Sequence, residues 1–316
     1  MRTLRTLTLQ SLLWKLAMAT LALAALLVAA TPATAQAGGS EEKIIISGAS
    51  GQLGSSAVRQ LLAKGFPAKN LILVSRTPDT LAEFARAGAS TRYGDFSKPD
   101  SLAAAYAGGT RMLLISIGGG AGPRPEAHKR AIDAAKSAGV KHIAYTSYIA
   151  ISKGDTSGLG SDHFQTEEIL RQSGVAWTFL RNSIYMDGLV AQGARMVAEG
   201  RAIAPAGGGR IGYVTRDDCA AAAVAVLTTP GHENKVYDIA GPELIGVRET
   251  AAAATAVTGK AIDVVAADPG AVPPRGFGGP SLEVTSTHVA DLTGRPATSL
   301  RQLFEANKEK LLPSKS

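Results

Sequence analysis

The stretch Lys43-Ile44-Ile45-Ile46-Ser47-Gly48-Ala49-Ser50-Gly51-Gln52-Leu53-Gly54 constrains this chain more than any other. A β-branched run leads straight into three glycines at G-x-x-G-x-x-G spacing, and an amphipathic stretch that ends at Gly65 follows. A strand entering a glycine turn at the head of a helix makes an anion site, because backbone N–H groups and the helix dipole converge there. Gly48 is suited to the tight turn, Gly51 to close approach of the main chain to a pyrophosphate, and Gly54 to close packing of a helix over residues 55–64 on the strand. Gly48, Ser50, Gly51, Gln52 and Leu53 are therefore candidate cofactor contacts. The turn predicts a nucleotide cofactor.

From residue 43 to about 180, short β-branched runs alternate with amphipathic helical stretches. That alternation predicts an α/β fold, a doubly wound parallel sheet of Rossmann type covered on both faces. After the first unit, strands are expected over residues 70–75, up to 95, 111–116, 142–147 and 175–180, with helices over 79–87, 99–107, 126–138 and 162–172. Past Asn182 the pattern loosens into a small C-terminal lobe, mainly residues 183–312, expected to carry the substrate side. Its Pro/Gly-rich segment 268–280 has neither helical nor strand period. The expectation is one domain over residues 43–312.

The first 37 residues read differently. Arg2, Arg5 and Lys15 precede an uncharged Ala/Leu core over residues 16–30, and Ala35-Gln36-Ala37 offers an A-x-A cleavage site. This order predicts a secretory signal peptide, followed by a linker at 38–42 and export to the periplasm. The core is shorter than the roughly 20 residues that span a bilayer, so no membrane span is expected in the mature chain. An N-terminal anchor or a cytoplasmic protein are the alternatives. The two arginines are not adjacent, so the twin-arginine route for folded cofactor proteins is not signalled. A dinucleotide-binding protein outside the cytoplasm is a conflict, since the cofactor pool lies inside.

Removing the leader lowers the formal charge from +7 to +4. With no Lys/Arg stripe interleaved with aromatics, nucleic acid is excluded as a partner. The sole cysteine, Cys219, cannot form an intrachain disulfide and reads as a small core residue on a helix. His128, His142, His163, His232 and His288 do not cluster at metal-ligand spacing, so no metal is expected. The G-x-S-x-G elbow of serine hydrolases is missing, because Ser50 lacks its trailing glycine.

In a sheet of this kind ligands bind beyond the carboxyl ends of the strands, so the strand ends carry the chemistry. The second ends in Ser75-Arg76-Thr77, where NAD enzymes usually place an acidic residue on the ribose hydroxyls. Arg76 is suited to a 2′-phosphate, which favours NADP(H); an exposed loop arginine is the other reading. Asp79 nearby reads as a helix N-cap. Gly94-Asp95-Phe96 suits an adenine pocket, or equally an N-terminal turn with a core phenylalanine. Thr146-Ser147-Tyr148 ends the fifth strand without the Tyr-x-x-x-Lys of standard short-chain dehydrogenases. Downstream, His163 and Glu167 stand at i and i+4 on one helix face. Such a pair can orient a ribose and nicotinamide or relay a proton, or the histidine is structural.

Taken together, the chain resembles the NmrA-like atypical short-chain dehydrogenases, and among them the QorB-like branch of NADPH-dependent quinone oxidoreductases. The landmarks are Gly48 to Gly54, Ser75-Arg76, Gly94-Asp95-Phe96, the run from Ala138 to Ser147, His163-Phe164-Gln165-Thr166-Glu167, Leu180-Arg181-Asn182, Val236 to Gly241 and Thr293-Gly294-Arg295-Pro296. The resemblance covers residues from about 43 to 312. It implies hydride transfer from NADPH to quinone-like acceptors, and a family that has lost Tyr-x-x-x-Lys. It also implies a nicotinamide end near Ser116, Ser147 and His163, a substrate side at Asn182, Tyr185 and Met186, and catalytic roles for His163, Ser147 and Tyr185. Close relatives only sense dinucleotide, so an NADP(H)-binding regulator is the alternative reading, and a homo-oligomer is left open. The segment 264–287 looks shorter than the family's substrate-lobe helices, and the leader is foreign to a normally cytoplasmic family.

Overall fold

Seven strands form one parallel sheet whose spatial order departs from chain order at a single crossover point. In this computed structural model, residues 42–118, 122–151, 158–205, 209–267 and 280–312 are described. The leader, Lys153 and most of the Pro/Gly-rich segment lie outside them. The strands are β1 (Ile44–Ser47), β2 (Leu71–Ser75), β3 (Ser90–Tyr93), β4 (Arg111–Leu114), β5 (His142–Tyr148), β6 (Ala176–Asn182) and β8 (Lys235–Ile239). They lie in the order β3-β2-β1-β4-β5-β6-β8. Every pairing is parallel, beginning with Ile44 against Leu71 on one side of β1 and Arg111 on the other.

Alternation along each strand divides the core into two layers. Ile44, Ile46, Leu71, Leu73, Leu113 and Leu180 point to one face, while Ile45, Ile72, Met112, Leu114, Ile143 and Phe179 point to the other. The first face is covered by α1 (Gln52–Ala63) and the alanine-rich α7 (Arg216–Thr228). Small side chains let these helices lie close together, and Ser56 and Gln60 of α1 bond Asp217 at distances of 2.6 and 3.0 Å. Cys219 of α7 is buried in the core of this face, as expected. The opposite face carries α3 (Asp100–Tyr106), α4 (Arg124–Ser137) and α5 (Gly158–Gln172).

Several local expectations need correction. The first helix starts at Gln52 rather than residue 55, because the turn is completed by Gly51 N–H donating to the Gly48 carbonyl. Asp79 is not an N-cap: it lies inside a 3-10 turn, Pro78–Leu81, which precedes the short α2 (Ala82–Arg86). Strands β5 and β6 run further than expected, since Ser147 stays paired with Arg181 and Tyr148 with Asn182. The stretch after Asn182 is also not one lobe. Strand β8 joins the main sheet and α7 covers its face, while α6 (Leu189–Glu199), α8 (Val247–Thr258) and, beyond α9 (His288–Thr293), α10 (Leu300–Ala306) and α11 (Lys308–Leu311) enclose a smaller core around Met186, Leu189, Tyr213 and Phe304. A two-stranded parallel sheet, β7 (Arg201–Ala204) with β9 (Asp263–Ala266), borders that core. Of the described residues, no helix is long and apolar enough to cross a membrane.

Candidate functional site

The reversal of strand order between β1 and β4 opens a crevice at the carboxyl ends of the strands. A cleft of about 250 Å³ lies there, lined by the turn at Gly48, Ser50 and Gly51, by Ser75-Arg76, by Asp95-Phe96, and by residues 115–118 after β4. Gly48 has φ of +96°, a left-handed conformation that favours glycine. The N–H groups of Gly48 and Ala49 both donate to the Val74 carbonyl, at 3.0 and 3.1 Å, which ties the turn to β2. At Gly54 a Cβ would stand 2.3 Å from the Gly48 carbonyl oxygen, so the helix start is pressed against the turn. Among the described residues no side chain caps that helix, which leaves first-turn N–H groups open to an anion.

Around Arg76 the cleft is lined with hydroxyls. Ser50 and Ser75 share a 2.7 Å hydrogen bond, and the Thr77 N–H donates to Ser75 Oγ at 2.9 Å. The guanidinium is exposed and helps lower the Asp95 carboxyl pKa. Burial pushes that carboxyl up, but the hydrogen bonds from Ser97 together with the Arg76 and Lys98 charges outweigh it. Asp95 Oδ1 accepts from the Ser97 N–H and hydroxyl at 2.9 and 2.8 Å. Phe96 is 8% exposed and sits edge-on to His128 in the core. The residue pair therefore serves as a turn with a core phenylalanine, although both also line the cleft.

Other members of the expected set fall elsewhere. Gln52 faces a neighbouring groove with Asp187, Arg216 and Lys310, and the Leu53 side chain is in the core, so of the turn only Gly48, Ser50 and Gly51 line the cleft. Ser116 does line it, with its N–H donating to Thr146 Oγ1 at 2.8 Å. Ser147 and His163 are not on its wall. The Ser147 hydroxyl donates to Glu167 Oε1 at 2.7 Å, and Glu167 is fully buried.

Glu167 and His163 are not partners of each other. Arg181 grips the carboxylate with two bonds, at 3.0 and 2.8 Å, and Arg171 adds a third at 2.9 Å. His163 instead meets the Tyr145 hydroxyl through Nδ1 at 2.8 Å. Burial, helped by the Arg124 charge, pushes the His163 pKa down to about 3. It is neutral at ordinary pH and cannot relay a proton as an imidazolium.

On the expected substrate side, Asn182 is buried at the end of β6, and among the described residues its Oδ1 has no hydrogen-bond partner. Tyr185 is half-buried, with the Arg216 guanidinium 4.3 Å from its ring centroid. Burial above all, with Cys219 contributing, raises its hydroxyl pKa to about 12, so it stays protonated. Met186 corrects the expectation. It is 0% exposed in the core of the C-terminal elements, because the 3-10 turn Met186–Gly188 directs it inward. Ser47, Ile115 and Ile117 also line the cleft, although nothing in the sequence singled them out, and Ser75, marked there only as a strand end, joins them. The strand-end rule that led to Arg76 also reaches Ile117, just past the expected end of the fourth strand, whereas Ser116 came from the family resemblance. Among the described residues no cluster is suited to a metal.

A family model described as NAD(P)H-binding matches residues 48–230. The chain is similar to quinone oxidoreductase 2 of Escherichia coli, with 38% identity over 69% of this chain and 76% of that one. It is also similar to the NAD(P)H azoreductase of Xenophilus azovorans, 30% identical over 71% and 76%. Among solved structures, the E. coli NADPH-dependent quinone oxidoreductase complexed with NADPH matches at a TM-score of 0.75 and 32% identity, over 84% of this chain and 99% of that one. Triphenylmethane reductase of Citrobacter sp., complexed with NADP(H), matches with the same TM-score and coverage at 31% identity.

Proposed function

Because this chain belongs to the NAD(P)H-binding family, among its NmrA-like quinone reductases, we propose that it binds NADPH in the cleft at Gly48 and reduces quinones or similar small electrophiles. The observation that carries this reading is the pairing of an uncapped helix start, pressed onto a glycine turn, with a guanidinium at the end of β2. When bound, NADPH supplies the hydride. Gly48, Gly51 and the first-turn N–H groups of α1 hold the diphosphate, where side-chain carbons would intrude. Arg76, with the Ser50 and Ser75 hydroxyls beside it, takes the 2′-phosphate. Ser116, Ile117 and Gly118 line the cleft on the side of β4. His163 and Ser147 serve the reacting end, and Asn182 and Tyr185 shape the acceptor side. A quinone that accepts hydride becomes a phenolate-like anion that solvent protonates, so the lack of Tyr-x-x-x-Lys does not prevent turnover.

Steady-state NADPH oxidation with a panel of quinones tests the reading. Saturable turnover is expected, weakened in His163→Ala and Tyr185→Phe, with NADPH preferred over NADH. Arg76→Ala should weaken NADPH by about ten- to a hundredfold and leave NADH unchanged, since a charge-assisted contact contributes about 1.5–3 kcal/mol. Cofactor binding without turnover across the panel would point instead to a dinucleotide sensor.

We further infer export. The support is the order of basic residues, apolar core and Ala35-Gln36-Ala37. Fractionation with N-terminal sequencing should find a mature form starting near Gly38 in the periplasm. An intact leader on a cytoplasmic or membrane-bound protein would refute export.

A further inference from the structure

We propose that a buried hydrogen-bond chain from the Ile117 N–H through His128 and Tyr145 holds His163 in one tautomer, with its proton on Nε2. His128 and Tyr145 are then positioning residues, and His163 acts as a stationary hydrogen-bond donor. That donor role rests on the proposed reductase function, whereas the tautomer rests on geometry.

Each proton follows from the one before it. A backbone N–H can only donate, and Ile117 N lies 3.1 Å from His128 Nε2, so that nitrogen accepts. An imidazolium has no acceptor, so His128 is neutral and carries its hydrogen on Nδ1. Nδ1 faces Thr166 Oγ1 at 3.0 Å and the Tyr145 hydroxyl at 3.3 Å. Thr166 spends its own hydrogen on the Asp162 carbonyl at 2.9 Å and can only accept from His128. His128 Nδ1 has no lone pair left for the Tyr145 proton. Thr166 also interacts with that hydroxyl, but its Oγ1 already accepts from His128, and the close acceptor is His163 Nδ1, at 2.8 Å, so Tyr145 donates there. The hydrogen of a neutral His163 must then sit on Nε2.

The environment keeps both rings neutral. Burial, His163 and Arg124 push the His128 pKa down to about 3, and burial with Arg124 does the same to His163. Burial also pushes the Tyr145 hydroxyl far above its usual range, so it remains a donor. Among the described residues His163 Nε2 has no hydrogen-bond partner. The chain starts at Ile117, which lines the cleft, and ends at a ring beside Tyr148, with centroids 6.0 Å apart. A neutral imidazole N–H suits the acceptor oxygen that gains charge as hydride arrives. Because that donor keeps its proton, the proton completing the reduced product comes from solvent.

Two-bond 1H–15N correlation spectra of the full protein labelled at histidine nitrogen decide the matter at pH 7. His163 should appear as a single Nε2–H tautomer and His128 as a single Nδ1–H tautomer, assigned by loss of each signal in His163→Gln and His128→Gln. In Tyr145→Phe, His163 should move toward a tautomer mixture, and kcat for quinones should fall about tenfold while the KM for NADPH is unchanged. His163 as Nδ1–H, His128 as Nε2–H, or His163 signals untouched by Tyr145→Phe would overturn the proposal. If Tyr145→Phe does not fold, the wild-type spectrum alone decides. Correct tautomers in a protein without quinone turnover would leave the chain standing and sink only the reductase reading.

Discussion

Gly54→Ala is expected to lower the melting temperature by roughly 6 °C or more, whereas Gly51→Ala, three residues earlier in the same turn, is expected to lower it far less. The new methyl at position 54 would lie 2.3 Å from the Gly48 carbonyl oxygen and 2.8 Å from Ala49 Cα. Both are backbone atoms, and the Gly48 N–H is already held by Val74, so neither can swing aside as a flexible side chain would. The helix must back away from the strand. Overpacking costs about 1–3 kcal/mol where side chains can adjust; here the upper end applies, and about 2–4 °C is lost per kcal/mol in a large domain. At position 51 the same methyl meets the Gly48 oxygen at 3.4 Å, an ordinary contact. Only the smaller loss of glycine at an N-cap, under about 1 kcal/mol, remains. NADPH affinity should fall in both variants, because both alter the diphosphate cradle. Thermal unfolding of the two proteins side by side provides the check, and equal melting temperatures would show that the turn is not close-packed.

Stability should fall steeply below about pH 6.5. Three histidines, His128, His142 and His163, are buried, with burial the main cause pushing their pKa values to about 3, 4 and 3. In the unfolded chain each titrates near 6.5. As pH falls through 6.5 the unfolded chain takes up three protons that the folded protein refuses until about 3 to 4. Between those values the unfolded state binds more protons, so stability decreases as pH decreases; above 6.5 these groups add no pH dependence. Each contributes about 1.4 kcal/mol per pH unit once the two states differ by a full proton. The three together approach about 4 kcal/mol per unit, which exhausts a stability of about 5–15 kcal/mol within a few pH units. Urea denaturation at pH 7.5, 6.0 and 5.0 measures the slope. His142→Gln should remove about a third of it, since its Nε2 bonds Thr178 at 2.8 Å and a glutamine amide can donate there without titrating. A free energy unchanged between pH 6.0 and 5.0 would contradict neutral burial.

Much of the fold is legible in the sequence because its determinants are local. Ile44-Ile45-Ile46 and Leu71-Ile72-Leu73-Val74 are continuous apolar runs because both faces of a central parallel strand are covered. The glycines at 48 and 54 are required by a backbone angle and by a close approach that are already implied when a strand turns directly into a helix. The helix start moved by three residues because periodicity describes where side chains are buried, not where backbone hydrogen bonds begin. Asp95-Phe96 shows the opposite limit. The residue types suit an adenine site and a turn equally, and only the bonds to Ser97 and the contact with His128 show what the side chains do.

What the sequence determined by itself was the parallel α/β fold and the phosphate-binding turn, together with the guanidinium at the end of β2. These depend on steric and hydrogen-bonding demands among neighbouring residues. Tertiary structure alone decided the partners of the polar groups behind the cleft. Helix spacing suggested that Glu167 faces His163, yet Arg181 on β6 and Ser147 on β5 claim the carboxylate, and Tyr145 claims the imidazole. His128 reaches Thr166 across 38 residues. Such pairings depend on crossovers that bring the ends of separate strands and helices into one buried layer. There an unpaired polar group is costly, so the Glu167 carboxylate and the His163 Nδ1 take satisfactory partners near in space, whatever their place in the chain.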